Sequence, residues 1–354
     1  MNIPQLIAAV GVLCTAAWAQ PKDLVFSLPT DNTALYTTGG DDYFMYVDRI
    51  FEGEKTQPWQ AGTYGMVRNP FRPTPGGSIM FSRFHEGIDV KPLYRDSNNE
   101  PLDIVRPIAP GQVVHTSSMP GHSNYGRYVV IAHTVPEGTI YSLYAHLASV
   151  TCSIGQQVQP YQEIGRLGYS GVGLNKTRAH LHLEIALMIN SRFAEFYTGE
   201  NKHGNFNGMN LAGFDPAAVL RACQGGIPFS VSRYFASLKE HYRVAVPCTK
   251  VMDIMRRHPF LYKGSRTERT RPRSLEIAFT AEGLPIGIYP SHSEIVQPRI
   301  TFCRSMPTAQ QNCTVNRVKN NSARAALTVS GQRYISQYLW TGELPAAPVA
   351  STAP

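Results

Sequence analysis

The chain has 354 residues, of which 43% are hydrophobic and 16% are charged. Soluble domains contain roughly 25% charged residues, so this chain is poor in charge, and its ordinary glycine and proline content excludes a collagen-like or wholly disordered chain. Because one domain takes roughly 150 residues, the length predicts two domains. The net charge of +8 favours an anionic partner, which means nucleic acid, a lipid surface or an acidic polymer.

The beginning of the chain resembles an export signal. The apolar run from Leu6 to Ala17 is too short to span a membrane comfortably, and Ala17-Trp18-Ala19 is a small-x-small cleavage site. We predict a signal peptide over residues 1–19 and an exported chain, either periplasmic or secreted. A buried N-terminal helix is the alternative interpretation of the same run.

Export would place the cysteines in an oxidising compartment. Five follow the predicted signal peptide, namely Cys152, Cys223, Cys248, Cys303 and Cys313. The odd number leaves at least one thiol free or bonded to another molecule. Cys303 with Cys313, and Cys223 with Cys248, are candidate pairs that the sequence does not decide. Without a Cys-x-x-Cys motif, we expect no cysteine-based zinc site.

Residues 20–60 form a polar segment with 3 basic and 7 acidic residues, which we expect either to dock on the basic part of the chain or to cover the functional groove as a prosegment. From residue 61 short apolar runs alternate with Gly, Pro and Asn turns, as in Gly111–Val114, Tyr128–Ala132, Thr139–Ala145 and Leu181–Ile185. Such runs without a long amphipathic helix predict a mainly β, antiparallel domain over 61–218. A short helix is expected near Pro216–Ala222.

A smaller α+β accessory domain is predicted over residues 226–343. Val231 to His258 has helical spacing that breaks at Pro247, and Leu275 to Tyr289 predicts a hairpin around Glu282-Gly283. Thr301 to Tyr338 predicts further short strands. The tail 344–354 is rich in Ala, Pro, Ser and Thr, and we expect it to be disordered.

The basic excess of the chain belongs to this second domain. Residues 61–215 hold 12 basic and 11 acidic residues, whereas residues 216–354 hold 18 and 7. The run from Arg256 to Arg273 has 7 basic residues against 1 acidic residue. This run predicts binding to an anionic envelope polymer or lipid head groups, with a solvated basic loop as the alternative. We expect no nucleic acid partner, because interleaved aromatic residues are missing and an exported chain rarely meets nucleic acid.

Three histidine-bearing segments lie in the β-rich region. Phe84-His85-Glu86-Gly87-Ile88-Asp89 places His and Asp four residues apart around a glycine. His180-Leu181-His182-Leu183-Glu184 would put its two histidines and Glu184 on one face of a strand, with Leu181 and Leu183 facing the core. Tyr144-Ala145-His146-Leu147 places Tyr144 and His146 on one face. Each segment alone is equally consistent with hydrogen-bonded or packed histidines; their order and context are more specific.

Two histidines and one aspartate suit a catalytic zinc ion, which takes three protein ligands and leaves a fourth position for water. Such an ion lowers the pKa of bound water and polarises a carbonyl group. The two histidines that remain would serve as base, acid or oxyanion donor. No ligand spacing is found for the other histidines of the mature chain, which we interpret as ordinary surface or packing residues: His115, His122, His133, His203, His241, His258 and His292.

Together these segments resemble the M23 family of zinc metallopeptidases, the lysostaphin and LytM type. The resemblance runs from about Gly65 to Ala186. Its ordered matches also include the lead-in strand Gly65–Arg72, the strand Ile108–Val114, the hairpin arm Tyr125–Ile131 and the glycine-marked turns Gly155–Val158 and Ile164–Gly171. The fold that this resemblance implies is an antiparallel β-sheet groove with loops as its walls.

Carried over position by position, the resemblance implies His85, Asp89 and His182 as zinc ligands and one zinc ion per chain. It implies His146 and His180 as the catalytic pair that holds no metal. The substrate it implies is bacterial peptidoglycan, cut in its peptide cross-links or stem peptides. Some similar proteins have lost these residues and only activate a separate amidase. A non-catalytic, wall-binding regulator is therefore the alternative, although all five positions are filled here.

Four further residues near the predicted site have open roles. Glu184 is either a carboxylate that supports a metal ligand or a strand-edge carboxylate. Tyr144 either borders the groove or packs inside the sheet, and packing is the favoured interpretation. Lys176 and Arg178 occupy an unusual segment before His180, where they would line the groove edge and favour an anionic substrate terminus.

Overall fold

The computed structural model describes residues 21–38, 40, 42–45, 50–55, 61–200, 203–248, 250–265, 272–304, 314–321 and 324–341. The predicted signal peptide, the predicted tail 344–354, Cys313 and residues 266–271 of the basic run lie outside these described residues. Within the described part, no helix is long and apolar enough to cross a membrane.

Most regular structure in the described residues is β-strand. The strands are β1 (Ile50–Phe51), β2 (Glu54–Lys55), β3 (Gly65–Phe71), β4 (Met80–His85), β5 (Ile88–Val90), β6 (Ile104–Val105), β7 (Gly111–Ser117), β8 (Tyr128–Val135), β9 (Gly138–Ala145), β10 (Ser149–Val150), β11 (Gln157–Val158), β12 (Gly165–Arg166), β13 (Leu181–Met188), β14 (Leu211–Phe214), β15 (Tyr242–Pro247), β16 (Ser274–Phe279), β17 (Pro285–Ser291), β18 (Arg299–Cys303), β19 (Val318–Asn321) and β20 (Arg324–Leu327). The helices are α1 (Ala34–Thr37), α2 (Phe193–Phe196), α3 (Pro216–Ala222), α4 (Val231–Ser237), α5 (Asp253–Arg257) and α6 (Val329–Leu339).

The sheet that carries the predicted site is antiparallel, in the order β11-β7-β8-β9-β13-β14, with β5 also paired to β13. Its central strands coincide with the apolar runs predicted from the sequence. Valine and isoleucine, whose branched side chains favour strands, dominate β8, and β8 turns into β9 at Gly138, which has φ +126°. The prediction of a mainly β, antiparallel fold is thus confirmed.

Both faces of this sheet are buried. Leu181, Leu183 and Ile185 of β13 lie in the large hydrophobic cluster, as the alternation predicted. Ala186 and Met188 belong to a smaller cluster on the opposite face. Because side chains alternate along a strand, His182 and Glu184 project from that second face.

The N-terminal segment is part of the folded core. Phe26, Leu35, Tyr43 and Phe44 are each at most 3% exposed and belong to the large cluster. The Met45 amide donates to the Asp89 carbonyl over 2.7 Å, so this segment lies beside the strand that bears a predicted ligand. Its deletion would remove core side chains and not merely a detachable cover.

The C-terminal part is α+β, as predicted. Its sheet has the order β17-β16-β15-β18, and β16 with β17 forms the hairpin expected around Gly283. The expectation of only short strands from Thr301 to Tyr338 is wrong for α6, which the Thr328 side chain caps by accepting from the Gly331 amide. Apolar residues at Tyr334, Ile335 and Tyr338 have helical spacing and bury one face of α6.

This part shares a hydrophobic cluster with the larger sheet. Val244, Ile277 and Phe279 belong to the same cluster as Leu183 of β13. Polar contacts reinforce the junction, where Asn190 Nδ2 donates to the carbonyls of Gln337 and Trp340 at 2.7 and 2.9 Å. The free thiols among the described residues are Cys152, Cys223, Cys248 and Cys303, so the candidate pair Cys223–Cys248 is not formed.

Candidate metal centre

Three short elements bring the predicted ligands together. His85 is the last residue of β4, Asp89 is the middle residue of β5, and Asp89 pairs directly with His182 across β5 and β13. The turn between His85 and Asp89 depends on Gly87, because a Cβ atom there would lie 2.2 Å from the Leu183 carbonyl oxygen. The glycine inside the His-x-x-x-Asp segment therefore lets this turn lie against β13.

The ligand atoms form a nearly equilateral triangle. His85 Nε2 lies 3.1 Å from His182 Nδ1 and 3.1 Å from Asp89 Oδ1, and His182 Nδ1 lies 3.0 Å from Asp89 Oδ1. Tetrahedral zinc with bonds of about 2.0 Å requires ligand atoms about 3.3 Å apart. All three side chains are buried, and they are the one group of potential metal-ligating residues in the described part of the chain. These residues fit a zinc ion in number, chemistry and spacing.

The far side of each imidazole is anchored by an acceptor. His85 Nδ1 lies 2.8 Å from the Thr63 carbonyl oxygen, and His182 Nε2 lies 2.9 Å from Glu184 Oε1. If these nitrogens donate, His85 Nε2 and His182 Nδ1 present lone pairs to the centre, as metal ligation requires. The proposed supporting role of Glu184 is therefore favoured over a strand-edge carboxylate.

Asp89 is held as an anion by its surroundings. Arg68 Nη2 lies 2.5 Å from Oδ2, so Oδ1 remains directed at the triangle. Burial alone would raise the pKa of the Asp89 carboxyl, but the charges of His180, His85 and Arg68 outweigh burial and hold it well below its usual range. The sequence interpretation did not assign Arg68 a role, although it lies in the lead-in strand.

His182 has an unusual affinity for a proton. Burial lowers its pKa, but hydrogen bonds to Asp89 and Glu184 and the charges of both outweigh burial and raise it to about 9. A metal ion bound at Nδ1 competes with a proton for the same lone pair. Metal binding is therefore expected to release a proton near neutral pH.

The second pair of histidines lies beside the triangle. His146 follows β9 with φ 63°, a left-handed conformation that a non-glycine residue adopts at some cost, and its amide donates to the Tyr125 carbonyl. His146 Nδ1 lies 2.9 Å from the Ser170 carbonyl oxygen, and His180 Nδ1 lies 2.6 Å from that of Arg178. The two ring centroids are 4.7 Å apart.

Both histidines of this pair are expected to be neutral at pH 7. Burial is the main reason why the pKa of each imidazole is lowered, and the neighbouring histidines lower that of His146 further. With Nδ1 donating to a carbonyl, each ring leaves Nε2 as an acceptor, and His180 Nε2 lies 3.5 Å from Asp89 Oδ1. The structure therefore brings all five predicted site residues together.

A cavity of about 730 Å³ opens over these residues. Besides the four histidines and the aspartate already placed, its lining includes Tyr125, whose hydroxyl donates to Glu184 Oε1 over 2.7 Å. His122 and His203 also line the cavity, although their spacing had suggested ordinary packing. Tyr144 is fully buried and bonds the Ile108 amide, which confirms packing. None of the described residues in 21–55 lines this cavity.

A family model described as peptidase family M23 matches residues 83–193. No curated protein matches the chain. The family-model match confirms, for residues 83–193, the resemblance to peptidase family M23 that the motifs suggested.

Solved structures of similar segments include three from bacteria. The catalytic domain of lysostaphin from Staphylococcus simulans is 22% identical, with a TM-score of 0.28, over 45% of this chain and 89% of that chain. A mutant catalytic domain of the prophage-encoded M23 protein EnpA from Enterococcus faecalis is 24% identical, with a TM-score of 0.25, over 35% and 76%. A zinc-containing peptidase from Vibrio cholerae is 21% identical, with a TM-score of 0.28, over 46% and 37%.

Proposed function

We propose that the chain is an exported zinc metalloendopeptidase that hydrolyses peptide cross-links or stem peptides of bacterial peptidoglycan. The observation that supports this most strongly is the triangle of His85 Nε2, Asp89 Oδ1 and His182 Nδ1, with sides of 3.0 to 3.1 Å, below an open cavity. A zinc ion held there supplies Lewis-acid chemistry, which activates water and polarises a peptide carbonyl.

The chain's own residues would manage protons and charge around that ion. His146 and His180 line the cavity beside the ligands, and each keeps Nε2 as an acceptor because its Nδ1 donates to a carbonyl, so they would orient the attacking water and accept its proton. Once protonated, an imidazole becomes a donor that stabilises the developing oxyanion and returns the proton to the departing amine. Glu184, Thr63 and Arg68 keep the three ligand side chains in place.

The alternative proposal is a non-catalytic, wall-binding regulator that activates a separate amidase. Such a protein needs neither the ligand triangle nor the catalytic pair. The presence of all five residues beside one cavity, four of them buried and His146 half-buried, favours hydrolysis over this alternative.

Digestion of purified peptidoglycan by the mature chain tests the proposal. We expect cleavage of peptide bonds in the muropeptides, detected by mass spectrometry, about one zinc ion per chain, and loss of cleavage with a chelator. The His182→Ala chain is expected to lack both zinc and cleavage. Purified wild type with almost no metal and no cleavage, but with stimulation of an added amidase, would establish the regulator instead.

Export and envelope binding remain part of the proposal. The apolar pattern of residues 1–19 supports export to the periplasm or the exterior. Within the basic run, Arg256 is well exposed, whereas Arg257 bonds Asp253 over 2.8 Å and the Met188 carbonyl. Of these two arginines, Arg256 and not Arg257 is therefore available to an anionic polymer or lipid.

A further inference from the structure

Two arginines face each other across the β3–β4 hairpin at the rim of the cavity. Arg68 and Arg83 are register partners, and both line the cavity. Like charges directly opposite each other in a sheet are destabilising. Arg68 has Asp89 as its anionic partner, but among the described residues Arg83 has no side-chain hydrogen bond or ion pair. The hairpin therefore presents an uncompensated cation to the cavity.

A third arginine lines the cavity from a different element. Arg178 precedes His180 by two residues, as Arg83 precedes His85, so each of these arginines is close in sequence to a site histidine. Its Nε atom is buried without a hydrogen-bond partner, and its Nη1 makes only a long contact of 3.5 Å with the Gly173 carbonyl. A buried, unsatisfied guanidinium donor is costly unless a ligand completes it.

Lys176 provides an internal contrast in the same loop. Its ammonium group pairs with Glu100 Oε1 over 2.7 Å and with the Asn98 carbonyl over 3.1 Å. Lys176 does not line the cavity, whereas Arg178 does. The earlier expectation that both residues border the groove is therefore wrong for Lys176.

We propose that Arg83 and Arg178 bind free carboxylates of the substrate on either side of the scissile bond. The site would then select acidic peptides with a carboxylate close to that bond, and would discriminate against the same peptides when amidated. Guanidinium groups suit this task because they bind carboxylates with two parallel hydrogen bonds. This inference rests on the proposed peptidase function and names its substrate class.

The charges of the cavity are consistent with such a substrate. Its acidic lining residues are Glu86, Asp89 and Glu200, and its arginines are Arg68, Arg83 and Arg178. A bound divalent ion would add two positive charges to this balanced set. The loaded site would thus attract anionic peptides.

The test uses the full mature chain loaded with zinc and two cross-linked peptidoglycan fragments that differ only in having free or amidated carboxylates. We expect wild type to cleave the free-carboxylate fragment with a kcat/KM about tenfold to a hundredfold higher. Arg83→Met and Arg178→Met should each reduce that preference severalfold or more, because each should lower kcat/KM for the free-carboxylate fragment more than for the amidated fragment. Arg178→Lys should restore part of the preference, and Lys176→Met should match wild type.

Other results would overturn the inference. Equal cleavage of both fragments by wild type would contradict it, as would arginine variants that lose activity towards both fragments equally. A preference that persists in both methionine variants would show that the metal itself binds the carboxylate. If neither fragment is cleaved, the proposed peptidase function fails separately. Equilibrium binding of the two fragments to wild type and Arg178→Met then still decides whether carboxylates are recognised.

Discussion

Two networks of polar side chains in this molecule differ in where their hydrogen bonds end. In the C-terminal part, Arg317 lies 3.5 Å from the centre of the Tyr334 ring and donates to the Glu282 carbonyl, while the Tyr338 hydroxyl donates to that of Tyr334. The Tyr334 hydroxyl in turn donates to the Gly283 carbonyl. These three hydrogen bonds all end on acceptors inside the protein, so this closed network is expected to serve stability.

The metal centre has the opposite arrangement. Its outer atoms are bonded to Thr63, Glu184 and Arg68, but its inner atoms, once His182 Nδ1 has lost its proton, are three acceptors that converge on one point beside a cavity. Converging acceptors repel one another unless a cation lies between them. Buried charge by itself therefore says little about function, whereas acceptors that converge next to a cavity indicate a ligand.

The largest expected effect comes from removing one converging acceptor. His182→Ala should abolish zinc binding and lower peptide hydrolysis at least about a thousandfold, because two ligands rarely retain zinc and the activated water is lost. Zinc content and muropeptide release measure both effects. The exposed His292→Ala is the matched control and should behave as wild type. Retention of zinc by His182→Ala would contradict the assigned ligand set.

A buried histidine on the opposite face of the same sheet, His133, should make the free energy of unfolding depend on pH. His133 Nδ1 lies 2.8 Å from the Pro110 carbonyl oxygen, its Nε2 lies 2.7 Å from Ser142 Oγ, and burial lowers its pKa to about 4. Because the folded pKa lies below the unfolded value of about 6.5, the stabilisation is complete above pH 6.5 and is lost as the pH falls towards 4. The full loss amounts to about 3 kcal/mol.

Urea unfolding of wild type and His133→Gln at pH 7.5, 6.5, 5.5 and 4.5 measures this contribution. Between pH 6.5 and 4.5 the wild type should lose stability more steeply than the variant, by about 1.4 kcal/mol per pH unit. Zinc content at pH 7.5 should be the same in both chains. Parallel pH profiles would show that His133 does not titrate as its burial implies.

Breaking the closed network around Arg317 should cost stability without touching the metal. Arg317→Met removes the hydrogen bond to the Glu282 carbonyl and the cation–π contact with Tyr334, so we expect a loss of about 2 kcal/mol in the free energy of unfolding. Arg333→Met is the control, since Arg333 is exposed and lies 4.9 Å from the Tyr197 ring centre. A change in zinc stoichiometry in folded Arg317→Met would contradict the separation of the two networks.

The sequence predicted those features of the fold and site that depend on local pattern. Alternation along Leu181–Ile185 correctly separated a core face from a histidine face, because strand geometry fixes that alternation. The position of Arg68 at the Asp89 carboxylate was not predictable, since it depends on a register shift between Met66 and Arg68 in the β3–β4 pair. The local sequence pattern does not predict such a β-bulge.

The charge count predicted less well which basic residues of the C-terminal part can bind a partner, because tertiary contacts occupy some of them. Arg257 belongs to the basic run by sequence, yet its guanidinium joins the C-terminal part to β13 through the Met188 carbonyl. For the acidic N-terminal segment the sequence suggests docking on the basic part of the chain or a cover over the groove, yet isolated apolar residues such as Phe26 and Leu35 enter the core. Segments this short have too few periodic positions for their burial to be recognised.

The smallest expected effect concerns the hydroxyl of Tyr125, which lines the cavity and donates to the carboxylate that supports a metal ligand. Tyr125→Phe removes the donor to Glu184 Oε1, which also accepts from His182, whereas Tyr144→Phe removes a hydroxyl that bonds only the Ile108 amide and Ser142. Each change should cost about 1 kcal/mol of stability. Only Tyr125→Phe should weaken zinc affinity, about severalfold to tenfold, because Glu184 then orients His182 less firmly. Competition with a chelating dye measures the zinc affinity. Equal zinc affinity in the two variants would show that the Tyr125 hydroxyl does not help Glu184 to orient His182.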